Sequence, residues 1–178
     1  DIADLVAARK LPPVESWEPA NTGDSEMRIA SDGAWFHQGG EIKRQAMVKL
    51  FASILSQDEK GRYWLTTPIE KGEVTVEDAP FIITNLTVLS PTDKMHSRLV
   101  MRDNVDRKFE LGRHHSIFFK NADNQKAQNN SSTPYLCLND GLTAKISRPV
   151  YYQLMDMVTE DSHGNMGVWS GEEFVILR

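Results

Sequence analysis

The sequence predicts an α+β fold of two similar sub-domains from an internal duplication, each a small, mostly antiparallel sheet with one packed helix. Three observations lead there. Short runs rich in Val, Ile, Thr, Phe and Trp are divided by Asp-Gly, Gly-Gly and Pro-bearing breaks, the pattern of strands and hairpins. Two longer stretches, Ile42 to Leu55 and Ile146 to Val158, carry apolar residues at helical spacing. These two stretches also resemble each other: laid over without a gap, Ile42 meets Ile146, Arg44 meets Arg148, Leu50 meets Leu154 and Ile54 meets Val158.

The chain divides into an N-terminal helix and arm over residues 1–22, a first repeat over 23–90 and a second over 91–178, with a mobile loop near 121–134. Ile2, Leu5, Val6 and Arg9 follow a helical spacing that Pro12-Pro13 ends. Trp17 then anchors an extended arm. Met27 to Ala30 and Ala34 to Gln38 read as strands joined at Asp32-Gly33, where glycine supplies the positive φ of a tight turn. In the first main helix Met47, Leu50, Phe51, Ile54 and Leu55 form one apolar face. Gln57 to Gly61 is a polar turn, and Tyr63 to Thr66, Glu73 to Val76 and Phe81 to Leu89 are strands.

In the second half Arg98 to Asp103, Arg107 to Leu111 and Ser116 to Lys120 are strand candidates. Asn121 to Thr133 is polar and low in complexity. Tyr135 to Asn139, the Asp140-Gly141 turn and Leu142 to Ile146 then lead into the second helix, where Pro149 suits the first turn. Val168 to Ser170 and Phe174 to Leu177 close the chain. In this overlay Asp32-Gly33 matches Asp140-Gly141, and Trp64 matches Trp169.

Bulk properties narrow the function. With 40% hydrophobic and 25% charged residues, the composition is that of an ordinary globular protein. A net charge of −5 argues against a general nucleic-acid binder. The apolar run from Pro80 to Leu89 is too short to span a bilayer, and the N-terminal residues lack the basic region of a signal peptide. One cysteine, Cys137, allows no intrachain disulfide and fits a cytoplasmic setting.

The repeated oddity is arginine at both helix starts, where the macrodipole disfavours a cation by about 0.3–1 kcal/mol. Arg44 and Arg148 therefore call for negative partners. These are either carboxylates such as Glu70, Glu172 and Glu173, or an anion held jointly by arginine and helix N-terminus. Glu70, Glu77 and Asp78 are the densest carboxylates beside strand-like sequence. They suit acid–base or hard-metal chemistry, or serve as solvated turn residues. Thr67 either offers a hydroxyl to a ligand or starts a turn, and His37 beside Trp35 and Phe36 is a cleft candidate. No zinc spacing, nucleophile elbow, phosphate loop or dinucleotide fingerprint is present, so no cofactor or metal is expected.

Trp35-Phe36-His37-x-Gly39-x-x-Ile42-x-Arg44, Thr67-Pro68-Ile69-Glu70-Lys71, Val76-Glu77-Asp78-Ala79-Pro80-Phe81 and Ile146-x-Arg148-Pro149-Val150-Tyr151-Tyr152-x-Leu154 together resemble the bacterial domain-of-unknown-function family 1285. The resemblance runs from Leu11 to Leu177. It departs at Glu41, where the family often has Pro, and at Gly72, where it tends to have an apolar residue. The resemblance implies a duplicated α+β fold whose C-terminal half is superficially like a pleckstrin-homology domain. It also implies a site for a nucleotide-like molecule at the interface of the two repeats, and a signalling role.

The reading that follows is a ligand-binding module of bacterial signal transduction, holding a nucleotide-like or phosphorylated anion at that interface through Trp35, His37, Arg44, Thr67, Glu70, Lys71 and Arg148. A protein partner in signalling accompanies it; a membrane and general nucleic-acid binding do not. The alternatives are a carboxylate- or metal-dependent enzyme of unknown reaction and a protein-interaction scaffold offering sheet edges near Arg98 to Lys120.

Overall fold

The computed structural model describes residues 17–90, 96–121 and 132–177. The helix expected over Ile2 to Lys10 and positions 122–131 of the loop expected near 121–134 lie outside the described residues, while Asn121 and Ser132 to Pro134 fall in strands rather than loop. The chain forms two compact units, Asp1–Pro80 and Phe81–Arg178.

The first unit contains β1 (Asn21–Ile29), β2 (Trp35–His37), β3 (Gly40–Glu41), α1 (Gln45–Ser53), β4 (Leu55–Gln57), β5 (Tyr63–Thr66) and β6 (Glu70–Val76). They form a 6-stranded sheet in the order β3-β2-β1-β6-β5-β4. Its central pair, β1 and β6, is parallel and the other neighbours are antiparallel. A parallel pair needs a long crossover, which the chain from β2 to β5 supplies. The apolar core holds Ile29, Trp35, Leu50, Ile54, Trp64, Leu65 and Val74. α1 is fastened to the sheet through Phe51, whose ring stacks on Trp35 at 6.2 Å.

The second unit contains β7 (Phe81–Leu89), β8 (Arg98–Asp103), β9 (Lys108–Glu110), β10 (Ile117–Asn121), β11 (Ser132–Cys137), β12 (Thr143–Ile146), α2 (Arg148–Met155), β13 (Thr159–Glu160), β14 (Met166–Ser170) and β15 (Glu173–Ile176). The last three strands make their own 3-stranded sheet, and the others a 6-stranded sheet in the order β10-β11-β12-β7-β8-β9. Read from β9, this is the strand order of the first unit again, with β7 and β12 as the parallel central pair. The fold is α+β, in two sub-domains that share one sheet plan.

The element-by-element correspondence differs from the one the sequence overlay implies. The sheets match as β1 to β6 against β7 to β12, and the helices do not match. α1 lies between the third and fourth strands of its sheet, whereas α2 follows the sixth strand of its own. Arg44 and Arg148 are thus not equivalent positions. Nor are Trp64, buried on β5, and Trp169, 36% exposed on β14 of the smaller sheet. An amphipathic helix beside a strand produces the same local pattern wherever the topology puts it, so periodicity alone cannot align repeats. The units also divide at Pro80–Phe81 rather than at 90/91, because β7 pairs with β8 and β12.

One turn design recurs. Asp58, Asp103 and Asp161 open the β4–β5, β8–β9 and β13–β14 hairpins. In each, the aspartate Oδ1 accepts from the backbone N–H two and four residues on, and Oδ2 accepts from the side chain of Arg62, Arg107 or Asn165. The residue three positions on adopts positive φ: Gly61 at 79°, Asp106 at 66° and Gly164 at 81°. A carboxylate that bonds its own backbone this way closes a tight turn without help from the core. The backbone N–H of Arg62, the Trp64 indole N–H and the other donors around it pull Asp58 from its ordinary 3.8 down to about 2.

Candidate functional site

The first unit carries an open cavity of about 870 Å³, within the size range of small-molecule sites. β1, α1, β5 and β6 build it. Its wall on β1 is a bulge: the β1–β6 register runs from Asp24 opposite Glu73 straight to Met27 opposite Val74, leaving Ser25 and Glu26 extra. Glu26 takes φ 55°, and its N–H donates to Asp24 Oδ1. Ser25 Oγ donates to Glu73 O at 2.6 Å and accepts from Met27 N. The bulge presses against β6 at Gly72, where an added Cβ would lie 2.7 Å from Ser25 Cβ. Glycine is needed here because the two backbones leave no room for a side chain, despite the apolar residue the family resemblance leads one to expect.

The opposite wall is α1. Arg44 is its N-cap residue, with φ −74° and ψ 104°; it makes no side-chain cap bond, and no acidic residue occupies the first turn. Arg44 is exposed and lines the cavity. Among the described residues its guanidinium has no hydrogen-bond or ion-pair partner. The start of the helix, without a side-chain cap bond, and an unpaired cation therefore stand at one edge of the same opening. The glutamate bridge that the sequence also allowed is absent: Glu173 pairs with Arg113 at 2.8 Å, and Glu70 makes no ion pair among the described residues.

Of the sequence-derived candidates, His37, Arg44, Thr67, Glu70 and Lys71 all line this cavity. Their roles differ. Thr67 is buried, and its hydroxyl is committed to a turn: it donates to Glu70 O and accepts from the N–H of Ile69 and Glu70. Lys71 places Nζ 4.6 Å from the centre of the Trp64 ring, a cation–π contact. His37 and Glu70 are exposed at the rim. Trp35 is core, 1% exposed behind Phe51, with its Nε1 unpartnered among the described residues. Arg148 belongs to the second unit, exposed in the first turn of α2 beside Pro149. All lining residues of the cavity come from the first unit.

The carboxylates do not gather. Glu70 opens β6 and Glu77 follows its end, so at about 3.3 Å per residue they stand about 23 Å apart. Glu77 is held by Arg28 and accepts from Ser31 N, and Asp78 helps burial raise the Tyr63 phenol above its ordinary range. Among the described residues no group of three or more His, Cys, Asp or Glu could hold a metal ion. The second unit has an opening of about 680 Å³, whose arginines are paired with carboxylates, Arg98 with Glu110 and Arg113 with Glu173. These pairings hold Glu110 and Glu173 below the usual carboxylate range, Glu110 through the Arg98 side chain and Glu173 first through the Arg113 backbone N–H.

The family model described as the N-terminal domain of the domain of unknown function DUF1285 matches residues 12–79, and that of its C-terminal domain matches residues 80–177. The chain belongs to the DUF1285 family. Its two family segments meet within one residue of the boundary between the two structural units. Among solved structures, a DUF1285 family protein from Silicibacter pomeroyi DSS-3 is 36% identical with a TM-score of 0.79, over 97% of this chain and 93% of that one. Another, from Shewanella baltica OS155, is 31% identical with a TM-score of 0.54, over 73% of this chain and 90% of that one. No curated protein matches this chain.

Sequence reasoning missed the other half of this candidate site. Asp24 and Ser25 reach the cavity through the bulge, which local sequence does not mark. Met47 and Phe51 were assigned to a core-facing stripe, yet both stay partly exposed because the sheet covers only part of that stripe. The available signal was the breadth of the stripe against the few residues of the facing strands.

Proposed function

We propose that this DUF1285 protein is a non-enzymatic ligand-binding module, of a kind suited to signal transduction, whose first unit takes a small anion with an apolar body. Phosphorylated and nucleotide-like molecules fall in that class. The observation that carries the proposal is Arg44: a guanidinium without a partner among the described residues, at the N-cap of a helix that has no side-chain cap bond, at the rim of a cavity of about 870 Å³. The rim's full charges, Arg44 included, offset one another: Arg44 and Lys71 against Asp24 and Glu70. The start of α1 breaks that balance with a partial charge of about +0.5. Asp24 is already turned onto the Glu26 N–H, which leaves the positive side free to accept an anion.

A thermal-shift titration tests this. A ligand at a hundred times its Kd stabilises the native state by about 2.7 kcal/mol, a readily measured shift. Nucleotides, alkyl phosphates and carboxylates should include members that stabilise the wild type. Arg44→Ala should lose the effect, and Arg44→Lys should keep part of it, because lysine retains the charge without the fork. A ligand that stabilises Arg44→Ala as much as the wild type would remove the proposal.

A further inference from the structure

Below its rim the first-unit cavity is hydrocarbon. Met27, Ile42, Leu50, Phe51, Ile54 and Leu65 form its floor. The buried lining hydroxyl, Thr67 Oγ1, has its donor and both acceptor positions committed within its own turn. The bulge hydroxyl, Ser25 Oγ, is likewise committed to Glu73 O and Met27 N. No floor side chain is left to pair with the polar edge of a nucleobase, and a buried unpaired edge is penalised. A hydrocarbon body meets no such penalty. Met27 and Met47 supply flexible thioethers that adapt to a chain.

We infer that the ligand is an amphipathic acid, with a carboxylate or phosphate head at Arg44 and the start of α1 and a hydrocarbon tail on the Met27–Leu65 floor. This rests on the anion reading of Arg44 and narrows it: the head is shared with nucleotides, the buried part is not.

The test is calorimetric titration of the full chain, below micelle-forming concentrations. One series runs octanoate, decanoate and dodecanoate; a second runs the alkyl phosphates of the same lengths; AMP and ATP form a third arm. Affinity should rise about fourfold per methylene, the factor expected for burying one such group. The two acid series separate a carboxylate from a phosphate head. Arg44→Ala should weaken every acid by at least about tenfold, the scale of a lost charged hydrogen bond. Met47→Trp, at a partly exposed position, should block the longer tails while leaving the circular dichroism unchanged. Nucleotides binding through Arg44 while the alkyl acids show no length dependence would overturn the inference and spare the anion site. Affinity for the acids that is undiminished in Arg44→Ala, or equal affinity for their methyl esters, would overturn it as adsorption to apolar surface. An absence of binding in every arm would end both readings.

Discussion

Replacing Asp103 with alanine removes the most buried of the three turn carboxylates. Its side chain is 0% exposed, against 24% for Asp58 and 16% for Asp161. Oδ1 accepts from Val105 N at 3.0 Å and Arg107 N at 2.9 Å, and Oδ2 accepts from Arg107 Nε at 2.8 Å. Val105 is 5% exposed, so its N–H has little access to replacement water in the variant. Two orphaned backbone donors cost about 1–3 kcal/mol each, and Arg107, whose guanidinium lies 4.0 Å from the Phe81 ring centre, loses its counter-charge. The expected loss is about 3–5 kcal/mol, the range for breaking a buried pair by deleting one partner. Asp103→Asn keeps one acceptor oxygen and should lose roughly half as much. Urea unfolding with an unchanged slope measures both, and Asp58→Ala, in the most exposed copy, should cost least of the three. An Asp103→Ala variant within about 1 kcal/mol of the wild type would show that the backbone pair Asp103 N to Arg107 O closes the turn unaided, refuting the reasoning.

Gly72→Ala should destabilise the first unit by about 1–3 kcal/mol, because its Cβ meets Ser25 Cβ at 2.7 Å, and it should weaken ligand binding by moving the β1 bulge; unfolding and titration of one sample check both. The folded-state pKa of Asp58 is depressed, so its contribution is complete above its ordinary 3.8 and is lost as pH falls toward about 2. The stability gap between wild type and Asp58→Asn should therefore hold steady above pH 4 and shrink below it, and a gap independent of pH down to 2 would contradict the assigned bonds.

Longer strands whose alternate apolar residues turn to a buried face were legible in the sequence. Phe81 to Leu89 and Arg98 to Asp103 occupy the expected residues, because β-branched side chains on a pleated surface leave a local record. β3, β4 and β13 were not, since these short strands lack an apolar run of their own and form through the neighbours they pair with. Leu55 shows the difference. Periodicity places it on the helix face, yet it starts β4 because it pairs opposite Leu65. The duplication was legible in kind and misplaced in register: the two helices look alike, but the repeated object is the six-stranded sheet.

For the candidate site, the place of Arg44 at a helix start was legible, and its opposition to the dipole is what singled it out. The cavity beside it was not, since its β1 wall depends on pairing with β6, a strand far along the chain. Thr67 illustrates a residue whose type suits a ligand while its surroundings commit it to a turn.

The most direct test of an anion site at Arg44 is amide-resolved nuclear magnetic resonance during titration with decyl phosphate. The largest shifts are expected at Gln45, Ala46 and Met47 in the first turn of α1 and at Gly72 on the facing strand, and they should vanish in Arg44→Ala. Shifts centred on Arg148 and α2, or equal shifts in Arg44→Ala, would contradict it.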